Sequence, residues 1–288
     1  MRIAVIGAGG FVGRHLIRFL SNQGVNVVSI GRRDIASPAL DKVLAGCTAL
    51  VNCAGNKDGV GAGAREANVE LPLRLLEAAI AADIPAMIQV SSVAALVSVT
   101  RPGEIVTDDY TDRPIGTYGR SKRAGDDALF AAAREGGYRG ALIVLRPPIL
   151  IGYDAGGVFA LLRSMARAGV PLPLAGTDNR RSFMHVDNFA AAILTAVRAR
   201  CTGAFIVTDS APLSSAALYQ RMLSAAGRGP RLFSIGGAGR VLLRKMMGSR
   251  GESLFGDAAF DGGRFAATAR VDWLIPESAI VEQAMIPR

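Results

Sequence analysis

The sequence predicts an α/β fold, a doubly wound parallel sheet with a smaller portion interleaved toward the carboxyl end. Three observations carry that prediction. Short apolar runs of buried-strand length alternate with helical periodicity through the first half of the chain. A glycine-rich turn separates the first such run from the first helix. After Arg146-Pro147-Pro148 the alternation gives way to helical stretches broken by proline and glycine.

In order along the chain, residues 2–6 read as a strand, 11–22 as a helix and 25–30 as a second strand, which makes a βαβ opening. Further buried-strand runs lie at 49–53, 86–90 and 141–145, with helical stretches around 66–82 and 118–135 between them. The connection from Val28 to Leu50 leaves room for about one helix, so the edge strand usual in such sheets is expected to be missing or abbreviated. Beyond it come helices at 158–168 and 186–198 and a lone strand at 204–208. The predicted organisation is a nucleotide-binding domain at 1–150 and a substrate-binding portion at 151–288, with the strand near 204–208 returning to the main sheet.

With 288 residues, half of them apolar, the chain is long enough to bury a large core. No apolar run approaches the ~20 residues a spanning helix needs, and residues 1–6 run straight into a strand with no room for a leader. No membrane span and a cytoplasmic location are expected. Cys47, Cys53 and Cys201 lack CxxC spacing and read as buried small hydrophobes, with no metal site. The net charge of +9 comes mainly from arginines spread along the chain, which suits anionic small ligands better than nucleic acid.

Gly7, Gly10 and Gly13 have GxxGxxG spacing between strand and helix, where a phosphate meets free backbone N–H groups and the positive end of the helix dipole. This marks a Rossmann dinucleotide site. The second strand ends at Arg32-Arg33, where a free ribose 2′-hydroxyl would call for a carboxylate. Two arginines favour a 2′-phosphate, so NADP(H) is preferred and NAD(H) stays possible, with Asp34 making the ribose contact in that case.

Tyr118 and Lys122 stand four positions apart in a helical stretch and so share a face. A nearby ammonium favours the phenolate, bringing the phenol toward the range of a useful acid or base. Ser92 follows the strand ending at Val90, and strand carboxyl ends face the ligand crevice in open α/β sheets. Its hydroxyl can hold a substrate oxygen while Tyr118 exchanges a proton and Lys122 steadies the phenolate.

These motifs resemble those of the extended short-chain dehydrogenase/reductase family, the NAD-dependent epimerase/dehydratase group. They include the turn at 7–13, Asn52-Cys53-Ala54-Gly55, Asn68-Val69, Ser91-Ser92, Tyr118 with Lys122, Leu145-Arg146-Pro147-Pro148, and Arg181-Ser182-Phe183-Met184-His185-Val186-Asp187. The second half is most similar to the branch that reduces or epimerises C4 of UDP-linked N-acetylhexoses in bacterial surface-polysaccharide synthesis. The resemblance implies Ser92, Tyr118 and Lys122 as catalytic residues. It implies Gly7, Gly10, Phe11, Val12, Gly13, Arg32, Arg33, Ala54, Tyr118, Lys122 and Pro147 around the cofactor. Ser92, Tyr118 and Arg181 would meet the substrate, Arg181 at the nucleotide diphosphate, while His185 would brace its loop. In three places the chain departs from the family: Ser92 is followed by the apolar run Val93-Ala94-Ala95-Leu96-Val97, Val158 stands where an asparagine is common, and Ile6 where a threonine is.

The expected activity is NADP(H)-dependent reduction of a UDP-linked 4-keto sugar of the 6-deoxy-N-acetylhexosamine type. The alternatives are 4-epimerisation of a UDP-hexose, oxidation or reduction of an apolar hydroxy-ketone suggested by residues 93–97, and a non-catalytic NADP(H)-binding subunit. The family often dimerises through the helix bearing Tyr118, and Ala124, Ala128 and Ala131 to Ala133 offer small residues for that packing, so a homodimer is expected.

Overall fold

The computed structural model describes residues 1–37, 39–57, 61–112 and 114–287, and of residues 249 and 250 the backbone alone. The strands are β1 (Arg2–Ile6), β2 (Asn26–Ile30), β3 (Ala49–Asn52), β4 (Ala86–Val90), β5 (Ile105–Val106), β6 (Ala141–Arg146), β7 (Ile149–Ile151), β8 (Phe183–His185), β9 (Gly203–Ile206) and β10 (Ala259–Phe260). The helices of the first half are α1 (Phe11–Asn22), α2 (Arg32–Ala36), α3 (Leu40–Leu44), α4 (Ala62–Arg65), α5 (Leu71–Ala81) and α6 (Thr117–Glu135). Those of the second are α7 (Gly157–Ala168), α8 (Val186–Ala199), α9 (Ser215–Ala225), α10 (Gly236–Met247), α11 (Ser249–Phe255), α12 (Gly263–Ala269) and α13 (Ile280–Met285).

Six strands form one parallel sheet in the order β2-β1-β3-β4-β6-β9. Strand side chains alternate between its faces, and both faces are covered. Ile3, Val5, Val51, Ile88 and Ile143 meet Leu16 and Leu20 of α1 and Phe189 and Ile193 of α8. Ala4, Ile6, Leu50, Met87 and Leu142 meet Leu44 of α3, Leu75 and Leu76 of α5 and Leu129 of α6. Burying each such leucine contributes about 1.5–3 kcal/mol. The segment between β2 and β3 holds two short helices, α2 and α3, where one was expected, and β2 is the edge of the sheet.

The second half divides its elements. Helix α8 and strand β9 join the sheet, whereas α7, α9 and α13 enclose a second core around Phe159, Leu162, Tyr219 and Met222. The two-residue pair β5–β10 and the three-residue pair β7–β8 were not read from the sequence, because runs that short show no period. His15 ties the sheet helices to the loop after β7: its Nδ1 lies 2.6 Å from Asp187 Oδ1 and its Nε2 2.8 Å from Asp154 Oδ1. That anchors α1, the helix that opens at the glycine turn.

Candidate active site

Each glycine of the turn answers a separate steric demand. Gly7 has φ +78°, and a Cβ there would stand 2.8 Å from the Ala54 nitrogen. Gly10 donates its N–H to the Gly7 carbonyl at 2.9 Å, closing the turn. A Cβ on Gly13 would overlap the Gly7 carbonyl oxygen, so glycine is what lets α1 start so close to β1. No side chain caps α1, whose first turn carries no acidic residue.

Above the turn lies a cavity of about 890 Å³ at the carboxyl ends of β1, β2 and β3. Gly7, Gly31, Arg32, Ala54 and Gly55 are among the residues that line it. Close backbone approach, an uncapped helix start and a guanidinium at the rim fit a dinucleotide pyrophosphate and ribose. Arg33 is exposed and is not among the lining residues. Asp34, the alternative ribose contact, accepts the Gly31 N–H at 2.8 Å and so caps its own helix. The side chains of Phe11 and Val12 pack into the second and first cores, which leaves their backbone N–H groups to address a phosphate. The Pro147 carbonyl accepts from Val93 N at 3.1 Å, holding the ends of β4 and β6 together.

Helix α6 carries Tyr118 to Ser92 by means of two further glycines. A Cβ on Gly119 would overlap the Ala94 carbonyl oxygen, and one on Gly125 would overlap that of Asn68. Without side chains there, α6 lies directly on the 3-10 turn Val93–Ala95 and the π-helical turn Glu66–Glu70. The Ser92 hydroxyl caps the 3-10 turn, accepting Ala94 N–H at 3.2 Å, and lies near enough to the half-buried Tyr118 phenol to favour its ionised form. Burial pushes the Tyr118 pKa up, opposed by the nearby Ser92 hydroxyl and reinforced by the charge of Asp126.

This corrects one expectation. The lowering influence on the phenol comes from Ser92, not from the Lys122 ammonium. Sharing a helix face does not bring the head groups together: Lys122 is buried, its Nζ donating to the Val90 carbonyl at 3.4 Å. A Cβ on Gly55 would stand 2.7 Å from that nitrogen, so the cavity wall is cut away for it. Burial lowers the Lys122 pKa, while Asp126 and Cys53 raise it.

Asp126 was not singled out from the sequence. It lies one turn beyond Lys122, and its Oδ2 accepts from Ser91 Oγ at 3.0 Å and Arg146 Nε at 2.9 Å, all three side chains being buried. The i, i+4 step from Lys122 was the available signal, but it names no partner on β6. Asn68 braces the other side, donating to the Asn56 carbonyl at 2.9 Å and to Ser121 Oγ at 3.0 Å.

Arg181 does not stand at an open crevice. It is buried, with Nη1 donating to the carbonyls of Glu252 at 3.1 Å and Gly256 at 2.8 Å. Burial brings its pKa down to about 10, against the pull of Asp257 and Glu252. As the structure stands, it brackets the end of α11 where a diphosphate contact was expected. His185 starts α8, its Nδ1 accepting the Asp187 N–H at 3.1 Å. The apolar run after Ser92 is a small core: Val93 and Leu96 pack with Val106, Ile206 and Phe260. Val158 packs against the second core.

The family model described as the NAD dependent epimerase/dehydratase family matches residues 3–206. A ceramide reductase of Caulobacter vibrioides is 28% identical over 226 residues, 72% of this chain and 64% of that protein, so the chain matches under two thirds of its length. A UDP-glucose 4-epimerase of Vibrio cholerae is 26% identical over 248 residues, 77% of this chain and 75% of that one. The crystal structure of a UDP-N-acetylglucosamine 4-epimerase from Bacillus cereus superposes with a TM-score of 0.80 at 17% identity, covering 99% of this chain and 98% of that one. With the glycine turn after β1, the Tyr118–Lys122 helix packed on the parallel sheet, and a family match that spans residues 3–206, this chain belongs to the NAD-dependent epimerase/dehydratase family of extended short-chain dehydrogenase/reductases.

Proposed function

We propose that the protein is an NADPH-dependent reductase of a 4-keto sugar nucleotide, of the UDP-linked 6-deoxy-N-acetylhexosamine type. The observation that carries the chemistry is Tyr118 held near Ser92 on the helix whose Lys122 reaches Gly55, in the wall of a cavity shaped for a dinucleotide. Bound in that cavity, NADPH supplies hydride. The chain supplies the rest. Ser92 holds the carbonyl oxygen, and Tyr118, kept protonated by burial, donates its proton as that oxygen gains charge. Lys122, fixed by the Val90 carbonyl and set against Asp126, places a positive charge behind the reacting groups.

The NADP(H) preference rests on Arg32 at the cavity rim and on Asp34 being engaged with its own backbone. The sugar nucleotide rests on the family's motifs and on the epimerase relative. Of the apolar run 93–97 that suggested a hydroxy-ketone, Val93, Leu96 and Val97 are used in packing, while the ceramide reductase relative supports that second reading. A homodimer through the α6 face that exposes Ala124 belongs to the same reading.

The test is turnover of a UDP-4-keto-6-deoxy-N-acetylhexosamine with NADPH. Stoichiometric NADPH oxidation supports the reductase. Inversion of a UDP-hexose over many turnovers without added reductant would instead identify a 4-epimerase, and turnover of long-chain keto-lipids alone would replace the sugar.

A further inference from the structure

Helix α10 wears its apolar side outward. Ala238, Val241, Leu242, Lys245 and Met246 are its exposed stripe, at the i, i+3, i+4, i+7, i+8 spacing of one helix face. Val241 is 56%, Leu242 61% and Met246 77% exposed, and Phe233, just before the helix, is 47% exposed. The half-buried side carries Arg240 and Arg244 beside Leu243 and Met247. Arg240 donates to the Gly176 carbonyl, and Arg244 grips the Glu252 carboxylate, Nε to Oε1 at 2.8 Å and Nη2 to Oε2 at 2.6 Å. A surface helix of a globular protein normally shows the opposite arrangement. The arginine clamps hold α10 by its half-buried side and leave the stripe of Val241, Leu242 and Met246 uncovered.

The charge around the stripe indicates what covers it. Between Arg228 and Gly251 the chain has Arg228, Arg231, Arg240, Arg244, Lys245 and Arg250, and no carboxylate. Lys245 is exposed within the stripe itself. Arg231 is exposed, its guanidinium beside the Gly169 turn with Arg228, whose Nε donates to the Arg167 carbonyl at 3.2 Å. A second copy docking through this face would set these cations against their own counterparts. An anionic lipid surface offers both a boundary for apolar side chains and phosphates for the cations. Among the described residues no helix is long and apolar enough to cross a membrane, so such attachment would be peripheral.

We propose that α10 docks the protein on an anionic bilayer surface, with Val241, Leu242 and Met246 entering the headgroup boundary and Lys245 and Arg231 meeting lipid phosphates. This goes beyond the reductase reading and does not depend on it.

Flotation of the full chain with vesicles of phosphatidylcholine, alone or mixed with phosphatidylglycerol, tests the proposal without reference to activity. The expected result is association with the phosphatidylglycerol vesicles only, weakened by high salt. Leu242→Glu combined with Met246→Glu should reduce partitioning about tenfold or more, and Lys245→Ala about fivefold, with far-UV circular dichroism and NADPH affinity unchanged. Three results would overturn it: no flotation with either vesicle, undiminished flotation of the double variant, or a concentration-dependent self-association that the double variant abolishes.

Discussion

The Nε of Arg146 donates to Oδ2 of Asp126 across 2.9 Å, with both side chains buried behind Lys122. One carboxylate thereby anchors β6 to α6 and sets the field at the two groups that handle the proton. Asp126 raises the pKa of both Lys122 and Tyr118.

Asp126→Asn should therefore act on stability and on pH dependence together. Leaving the Arg146 guanidinium buried without its counter-charge costs about 3–5 kcal/mol, read as a lower melting temperature. With the carboxylate gone, Tyr118 and Lys122 lose their protons at lower pH, so the alkaline limb of kcat/KM for carbonyl reduction moves down. Asp126→Glu should keep that limb near its wild-type place. An unmoved limb in the asparagine variant would limit Asp126 to a structural role.

Gly119→Ala would push α6 off the Ala94 carbonyl and so part Tyr118 from Ser92. Overpacking of this kind costs about 1–3 kcal/mol in stability. The drop in kcat should be the larger effect, with NADPH affinity little changed, as measured by steady-state kinetics beside a binding titration.

At the cofactor rim the two arginines should separate. Arg32→Ala should weaken NADPH binding by about tenfold or more while sparing NADH, since a charge-assisted hydrogen bond is worth about 1.5–3 kcal/mol. Arg33→Ala should change little, because Arg33 is not among the cavity's lining residues. Equal losses for both cofactors would place Arg32 away from the ribose.

Asp209 gives a stability prediction with a definite sign. Burial raises its pKa to about 6, and its Oδ1 has no partner among the described residues, while Oδ2 accepts from His185 N at 2.9 Å and Asn188 Nδ2 at 2.8 Å. The folded state therefore holds this proton more tightly than the unfolded chain, whose carboxyl ionises near its ordinary 3.8. Its ionisation costs stability that is fully felt above about pH 6 and relieved as pH falls toward 4. In urea unfolding across that window, Asp209→Asn should remove this component, so that the difference between wild type and variant changes with pH. A constant difference would contradict it.

What the sequence revealed about the site follows from how local each feature is. Gly7, Gly10 and Gly13 fall within one turn, and Tyr118 and Lys122 within one helical step, so spacing alone places them. The main strands are apolar runs bounded by breakers, and their ends agree to within a residue or two with those observed. Asp126 escaped because its partners Ser91 and Arg146 lie on other elements, and an aspartate on a helix ordinarily reads as solvated surface. The run from Val93 to Leu96 looked like a pocket wall because nothing local shows that Val106, Ile206 and Phe260 complete a core around it. Arg181 was placed at a diphosphate by its motif, but the carbonyls it holds, those of Glu252 and Gly256, belong to a segment far along the chain. The inward arginines of α10 were hidden for the same reason: a 3.6-residue period shows that a helix has two faces, and only tertiary structure shows which one is covered.

The central claim is that Tyr118, close to Ser92, is the proton donor of an NADPH-dependent carbonyl reduction. It is tested most directly by following NADPH oxidation with a UDP-4-keto-6-deoxy-N-acetylhexosamine in Tyr118→Phe, with NADPH affinity measured in parallel. The account predicts a loss of kcat of about 10²–10⁴-fold with NADPH still bound as in the wild type. A Tyr118→Phe enzyme that reduced this substrate within a few-fold of the wild-type rate would contradict it.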